Sequence, residues 1–290
     1  MMRETDSSFG IDAQIAAARS FLFVPADRPE RFEKAFGAGA DMVIIDLEDA
    51  VAPPHKAAGR ENIRNYLRTG RGVERPVLVR INGKGSEDFE LDLRLCGVAG
   101  IAGVVLSKAE AGEDLAAIRK AAPGMCLLPL IETAQGFANA LGLAKAAGVV
   151  RILFGSIDFQ LDLGIPDDGD ALAVFRSQLV LNSRLGGIAA PVDGVSTGIA
   201  DQAQLARDIG RAKSFGFGGK LCIHPSQIEA VNRGFSPSEA ELAWAVKILG
   251  AVASATAGSG AIAYEGQMID RPVQRKAERI LLAGKMNSAA

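Results

Sequence analysis

Short apolar runs recur along this chain, and each gives way to a polar residue suited to chemistry. Phe21 to Val24 runs out before Arg28, Met42 to Ile45 before Asp46 and Glu48, and Val77 to Val79 before Arg80. Gly103 to Leu106 precedes Lys108, Cys126 to Ile131 precedes Glu132, and Arg151 to Phe154 precedes Asp158. Ala190 to Val192 before Asp193 and Lys220 to Ile223 before His224 are the weaker last members of the series. Most runs are followed by a stretch with helical spacing. Buried parallel strands alternating with helices over roughly 250 residues form the pattern of an α/β fold closed as a (β/α)8 TIM barrel, whose strand C-terminal ends face the active site. Polar residues gathered at those ends predict an enzyme.

The same pattern divides the chain into three zones. Residues 1–18 are polar and then alanine-rich, and read as an N-terminal arm or short helix ahead of the barrel. Residues 19–235 carry the strand and helix alternation, punctuated by turn residues at Leu67 to Glu74 and Gly164 to Asp170. Asp170 is placed to cap a helix running through Phe175, Leu179 and Leu181 toward Leu185. Residues 236–290 form a C-terminal extension. In it Ser236, Pro237 and Glu239 start a helix through Trp244 and Ile248 that ends in the glycine-rich Ala257 to Gly260, and a last helix spans about Val273 to Leu282.

Composition narrows the function classes. The 290 residues carry a net charge of −2 and a pI near 5.8, which argues against a domain that holds nucleic acid by bulk electrostatics. Cys96, Cys126 and Cys222 are odd in number and set in apolar surroundings, so they read as reduced thiols. No apolar stretch approaches the roughly 18 residues that a membrane span needs, and a cytoplasmic protein is the expectation.

Two carboxylates stand out. Glu132 ends the run CLLPLI and Asp158 follows RILFGSI, which puts them at neighbouring barrel mouths. Hard oxygen ligands with open positions suit Mg²⁺ or Mn²⁺ better than zinc, and the chain has only two histidines, His55 and His224. The plainer alternative makes Glu132 the cap of a helix over Thr133 to Leu143 and Asp158 the cap of a turn. Arg80 in a barrel mouth is an always-charged fork aimed at a carboxylate or a developing oxyanion, or else a structural partner of Asp46 or Glu48. Asp46, Glu48 and Asp49 crowd acids together and call for a cation or a water network. Lys108 is free to bind substrate or to pair with these acids. His224 in IHPSQ is expected to fix a turn, and His55 to be solvated.

The segments RSFLFVPADRPER, DMVIIDLEDAV, Lys56 with Arg60, VRIN, LLPLIETAQG, LFGSIDF, FGFGGKLCIHPSQI and GQMIDRP stand in the order found in the citrate lyase β-subunit family. From about Arg19 to Leu282 the chain resembles that family, a branch of the pyruvate and phosphoenolpyruvate aldolase barrels. The resemblance implies Mg²⁺ on Glu132 and Asp158 and substrate oxygens on Arg80. It implies a catalytic acid or base at Asp270, set over a neighbouring subunit's barrel in a trimer or dimer of trimers. Its plainer alternative is a cap for the last helix. Asp46, Glu48 and Asp49 would line the site and order its waters, and Phe21, Arg28, Ile223 and His224 would lie on the coenzyme A side of the mouth. Ser107-Lys108 stands where the family usually has Pro-Lys.

The activity implied is reversible cleavage of a 3-hydroxyacyl-CoA of the malyl, citramalyl or citryl type into a 2-oxoacid and acetyl-CoA. Three alternatives stay open. They are the β-subunit of a citrate lyase complex acting on carrier-bound citryl, a metal-dependent aldolase of free 4-hydroxy-2-oxoacids, and a non-catalytic barrel subunit.

Overall fold

The computed structural model describes residues 10–70, 75–254, 262–264 and 267–289. They divide into two compact units, with the boundary between Asn232 and Arg233.

The first unit is built on a closed barrel of eight parallel strands in chain order, a (β/α)8 barrel. The strands are β1 Ser20–Pro25, β2 Met42–Asp46, β3 Val77–Ile81, β4 Ile101–Leu106, β5 Cys126–Ile131, β6 Leu153–Phe154, β7 Val192–Asp193 and β8 Gly219–Cys222. Closure is direct, because β1 pairs with β2 on one side, with Phe21 beside Met42, and with β8 on the other, with Ser20 beside Lys220. Every residue of β2, β3 and β5 is buried, as expected of a parallel sheet covered by helices outside and side chains within. Strands β6 and β7 are short, and each is followed by a glycine that leaves room for a neighbour. A Cβ on Gly155 would lie 2.5 Å from Glu132 Oε2, and one on Gly194 would lie 2.1 Å from Ser156 Oγ.

Inside the barrel, Phe21, Ile44, Leu78, Leu128 and Leu153 join one apolar cluster. The helix Ile11–Ala17 belongs to it through Ile15, which is fully buried. Arg151 ties this end shut. Its Nη1 donates to the carbonyls of Ile15, at 3.1 Å, and of Ala18, and its Nε donates to that of Ala190 at 2.6 Å. Its guanidinium lies over the Phe21 ring, 5.5 Å from the centroid.

Local structure departs from the sequence expectations in two places. The helix expected over Thr133 to Leu143 is split into Ala134–Ala138 and Ala140–Lys145, and Thr133 caps it by accepting from Gly136 N at 3.0 Å. Asp170 opens a 3-10 turn, Asp170–Leu172, that winds onto the helix Ala173–Gly186, so it does not sit at the cap position.

The second unit contains the helices Glu239–Ser254 and Arg271–Ala289 and a hairpin pairing Ile262–Tyr264 with Gln267–Ile269. Ala245, Ile248, Ile269 and Ala277 form its core, with Trp244 and Ile280 packed against them. The first helix is started by Ser238, whose N–H donates to Glu241 Oε2 at 2.8 Å while its Oγ accepts from Glu241 N at 3.2 Å. The glycine-rich Ala257 to Gly260 lies outside the described residues. Among the described residues no helix is long and apolar enough to cross a membrane.

Candidate active site

Alternation along the strands carries the site. Met42 and Ile44 face the barrel core, so Asp46, two residues on, faces it as well. On β3 Leu78 is followed in the same way by Arg80, and on β5 Leu128 and Leu130 are followed by Glu132 just past the strand end. Asp46 and Arg80 are register partners. At this end a cavity of about 330 Å³ opens, walled by Asp46, Arg80, Glu132 and Asp158 and by the apolar Phe23 and Ile223.

Arg80 forks onto Asp46, with Nε donating to Oδ1 at 2.6 Å and Nη2 to Oδ2 at 2.5 Å, and its Nη1 lies 3.0 Å from Glu48 Oε2. The Phe23 ring lies 4.7 Å from its guanidinium carbon. A guanidinium carries five N–H donors, and these contacts leave some of them for a ligand. Burial alone lowers the Arg80 pKa, but Asp46, Glu48 and Glu132 outweigh it and raise the value. The structural ion pair and the cavity-facing arginine are therefore the same residue.

Glu132 is 1% exposed, and its Oε1 accepts the backbone N–H of Lys108 at 2.7 Å. Burial first, then the charge of Glu48, pushes its pKa up to about 8 against the pull of Arg80 and of the Lys108 N–H, and Asp158 adds to the rise. It does not cap the following helix, whose cap is Thr133. Asp158 sits in the first turn of the helix Ser156–Leu163, on the cavity wall. Among the described residues no group of three or more His, Cys, Asp or Glu side chains is arranged to hold a metal ion. Two carboxylates, one of them buried and short of positive charge, nonetheless fit Mg²⁺, which binds through one or two carboxylates and keeps its other positions for water and substrate.

Lys108 reaches back over this group, with Nζ 2.5 Å from Glu48 Oε1. Partial burial lowers its pKa, but Glu48, Glu132 and Asp49 prevail and raise it, which is the wrong direction for a Schiff-base nucleophile. Asp49 is exposed on the cavity wall, its N–H donating to Glu48 Oε2 at 2.9 Å.

Not every expected residue joins the cavity. Phe21, expected on the coenzyme A side, is fully buried among the apolar residues beneath Arg151 at the opposite end, and Phe23 takes the place at the mouth. Both face inward, and their order along β1 separates them. Asp193 also leaves the set. Val192 faces the core, so Asp193 points outward, where Arg176 Nε donates to it at 3.0 Å. Arg28 and His224 are exposed on the loops leaving β1 and β8 and do not line the cavity, whereas Ile223 does. His224 fixes its turn, with Nδ1 accepting from Ser226 N at 3.2 Å, and His55 is exposed. Asp270 lies in the second unit, where its Oδ1 accepts from Val273 N at 3.2 Å as the cap of the helix Arg271–Ala289.

The structure adds supports that the sequence reading missed. Asn82, at the end of β3, donates through Nδ2 to Leu47 O at 3.1 Å and to Asp92 Oδ2 at 2.7 Å, and accepts from Lys56 Nζ. Arg60 Nη1 donates to Asp88 and to Asp92, each at 2.9 Å. The signal was present, because Asp92 shares a helix face with Phe89 and Cys96, and an acid at that spacing needs a buried partner. Gln227 joins the loops after β7 and β8. Its Nε2 donates to Ser196 O at 2.9 Å, while its Oε1 accepts from Ile223 N at 2.9 Å and His224 N at 3.3 Å.

An eight-stranded parallel barrel with inward acids and an arginine at the strand C-terminal ends has the architecture of a barrel enzyme with a charged, metal-compatible mouth. Residues 19–225 match the family described as HpcH/HpaI aldolase/citrate lyase, and the chain belongs to that family. A citrate lyase subunit beta-like protein of Mycobacterium tuberculosis is 40% identical over 273 residues, covering 92% of this chain and 95% of the relative. A (3S)-malyl-CoA thioesterase of Cereibacter sphaeroides is 32% identical over 255 residues, covering 87% and 89%. Among solved structures, protein CitE from Mycobacterium tuberculosis in complex with magnesium, acetoacetate and coenzyme A superposes with a TM-score of 0.79. It is 36% identical, and the match covers 93% of this chain and 99% of that one.

Proposed function

We propose that this chain is a cytoplasmic, Mg²⁺-dependent carbon–carbon lyase. Its reaction cleaves a 3-hydroxyacyl-CoA of the malyl, citramalyl or citryl type to a 2-oxoacid and acetyl-CoA, or condenses them. The observation that carries this reading is the meeting of Arg80, Glu132 and Asp158 in one cavity of about 330 Å³ at the strand C-terminal ends. That volume suits the acyl and oxoacid atoms, with the coenzyme A arm leaving through the mouth past Ile223, Arg28 and His224. The relative bound to magnesium, acetoacetate and coenzyme A supports the cofactor and the substrate class.

Cleavage requires the substrate hydroxyl to lose its proton and the bond between its carbon and the thioester α-carbon to break, with the electron pair passing to the thioester as an enolate. The methyl carbon then gains a proton. Glu132 and Asp158 are the residues that would hold Mg²⁺, and the ion would supply positive charge for the oxygens of the oxoacid half. Asp49 takes the hydroxyl proton, directly or through water. Arg80 offers its remaining N–H donors to the enolate oxygen, a contribution of roughly 3 to 4 kcal/mol to the barrier. Asp46 and Glu48 hold the guanidinium in place for it. Asp270 of a neighbouring subunit, in a trimer or dimer of trimers, exchanges the methyl proton, a step worth ~10² to 10⁴ in rate.

The thioesterase named among the relatives favours a second reading, in which water cleaves the thioester and releases free coenzyme A. One assay separates them. Purified protein with Mg²⁺ and malyl-CoA, citramalyl-CoA or citryl-CoA should release a 2-oxoacid and acetyl-CoA without free thiol. Free thiol with a hydroxyacid supports the hydrolase. Turnover only on a free hydroxy-oxoacid or on carrier-bound citryl, or none at all, overturns the proposal.

A further inference from the structure

Among the described residues outside glycine, Lys108 alone has a positive φ, at 47°. Left-handed backbone at a non-glycine residue is uncommon and costs energy, so it persists where its surroundings impose it. The surroundings are specific. Ser107 N–H still pairs with Ile81 O of β3 at 3.3 Å, and Ala109 N–H pairs with Leu130 O of β5 at 3.2 Å. Between them the left-handed residue leaves its own N–H free of both ladders, and it donates to Glu132 Oε1 at 2.7 Å. The side chain of the same residue leaves in another direction and places Nζ 2.5 Å from Glu48 Oε1, while Glu48 Oε2 lies 3.0 Å from Arg80 Nη1.

We infer that Lys108 is the positioning residue of the site, fixing Glu132 through its strained backbone and Arg80 through its side chain by way of Glu48. The inference rests on the reading of Glu132 as a metal ligand and Arg80 as the anion donor. It separates two jobs within one residue. The backbone conformation sets the direction of the Glu132 carboxylate and therefore metal affinity. The ammonium keeps Glu48 against Arg80 and therefore sets turnover. A lysine that was merely a turn residue with a solvated amine would do neither.

The two jobs separate by substitution. Glycine adopts the left-handed conformation at no steric cost, an unbranched side chain tolerates it about as lysine does, and a β-branched one resists it. Binding of Mn²⁺, followed by electron paramagnetic resonance, and of Mg²⁺, followed by calorimetry, should remain within about twofold of wild type in Lys108→Gly and Lys108→Met. In Lys108→Val it should weaken about 10- to 100-fold, the usual loss when a group orienting a metal ligand is removed. With metal saturating, kcat should fall in Lys108→Met and Lys108→Gly by up to about 10²-fold, as for a displaced reacting group. Lys108 is exposed, and the melting midpoint of each variant identifies any that unfolds. Equal metal affinity in Lys108→Val and wild type, or equal weakening in Lys108→Gly and Lys108→Val, overturns the backbone role. Undiminished kcat in Lys108→Met overturns the side-chain role. A wild-type protein that binds neither cation removes the metal reading itself, a result distinct from either.

Discussion

Two arginines lie over two phenylalanines of the same strand, at opposite ends of one barrel. Arg151 covers Phe21 at the closed end, and Arg80 covers Phe23 at the mouth. Their partners differ. Arg151 donates to the neutral carbonyls of Ile15, Ala18 and Ala190, and burial without a bonded carboxylate lowers its pKa to about 9, with only the charge of Asp41 pulling the other way. Arg80 is held by Asp46 and Glu48, keeps donors in hand and has its pKa raised. A buried guanidinium joined to carbonyls is structural cement. One joined to carboxylates on a cavity wall is an oriented charge, the part the proposed reaction assigns to it.

Removing the cement should have the largest effect. Arg151→Met leaves buried carbonyls without donors and should cost roughly 3 to 5 kcal/mol in denaturant unfolding, while metal affinity of the folded protein stays unchanged. Loss of metal affinity in step with stability would erase the division between the ends. Arg80→Lys should do the reverse, because the charge stays and the fork is lost. Turnover should fall about 10²- to 10³-fold with little change in melting midpoint. A large melting shift with normal turnover would make Arg80 cement as well.

The third test uses protons. Glu132 has its folded pKa at about 8 and an ordinary value of 4.5, so the metal-free folded protein keeps a proton that the unfolded chain releases. This contribution to stability is complete below pH 4.5 and is lost as pH rises toward about 8, at a slope approaching ~1.4 kcal/mol per pH unit. Melting of wild type against Glu132→Gln across that range should reveal the slope in wild type alone, and parallel curves would refute it. The smallest effects come from the rings. Phe21→Leu and Phe23→Leu should each cost about 1 kcal/mol, the first in stability and the second in kcat/KM.

Much of this was legible in the chain because a strand running toward the mouth ends on whichever face its register dictates. Asp46, Arg80 and Glu132 continue the inward positions of β2, β3 and β5, and their long apolar runs announce them. Asp193 follows a run of the same kind but faces outward, since a strand as short as Val192–Asp193 gives no alternation from which to read direction. Phe21 and Phe23 share a face, so periodicity alone does not separate them, whereas the rule that strand C-terminal ends form the mouth puts Phe23 there. The left-handed turn at Lys108 carries no composition signal at all, because glycine is the residue that normally marks it.

Gln227 couples the loops that follow β7 and β8. Because its amide clasps Ser196 O on one side and the N–H groups of Ile223 and His224 on the other, the loops bearing Val195 and Ile223 are one mechanical piece. Mutations in these two loops should therefore show epistasis. Enlarging the cavity from one loop alone will tilt the other, and variants with altered substrate size will be found as pairs.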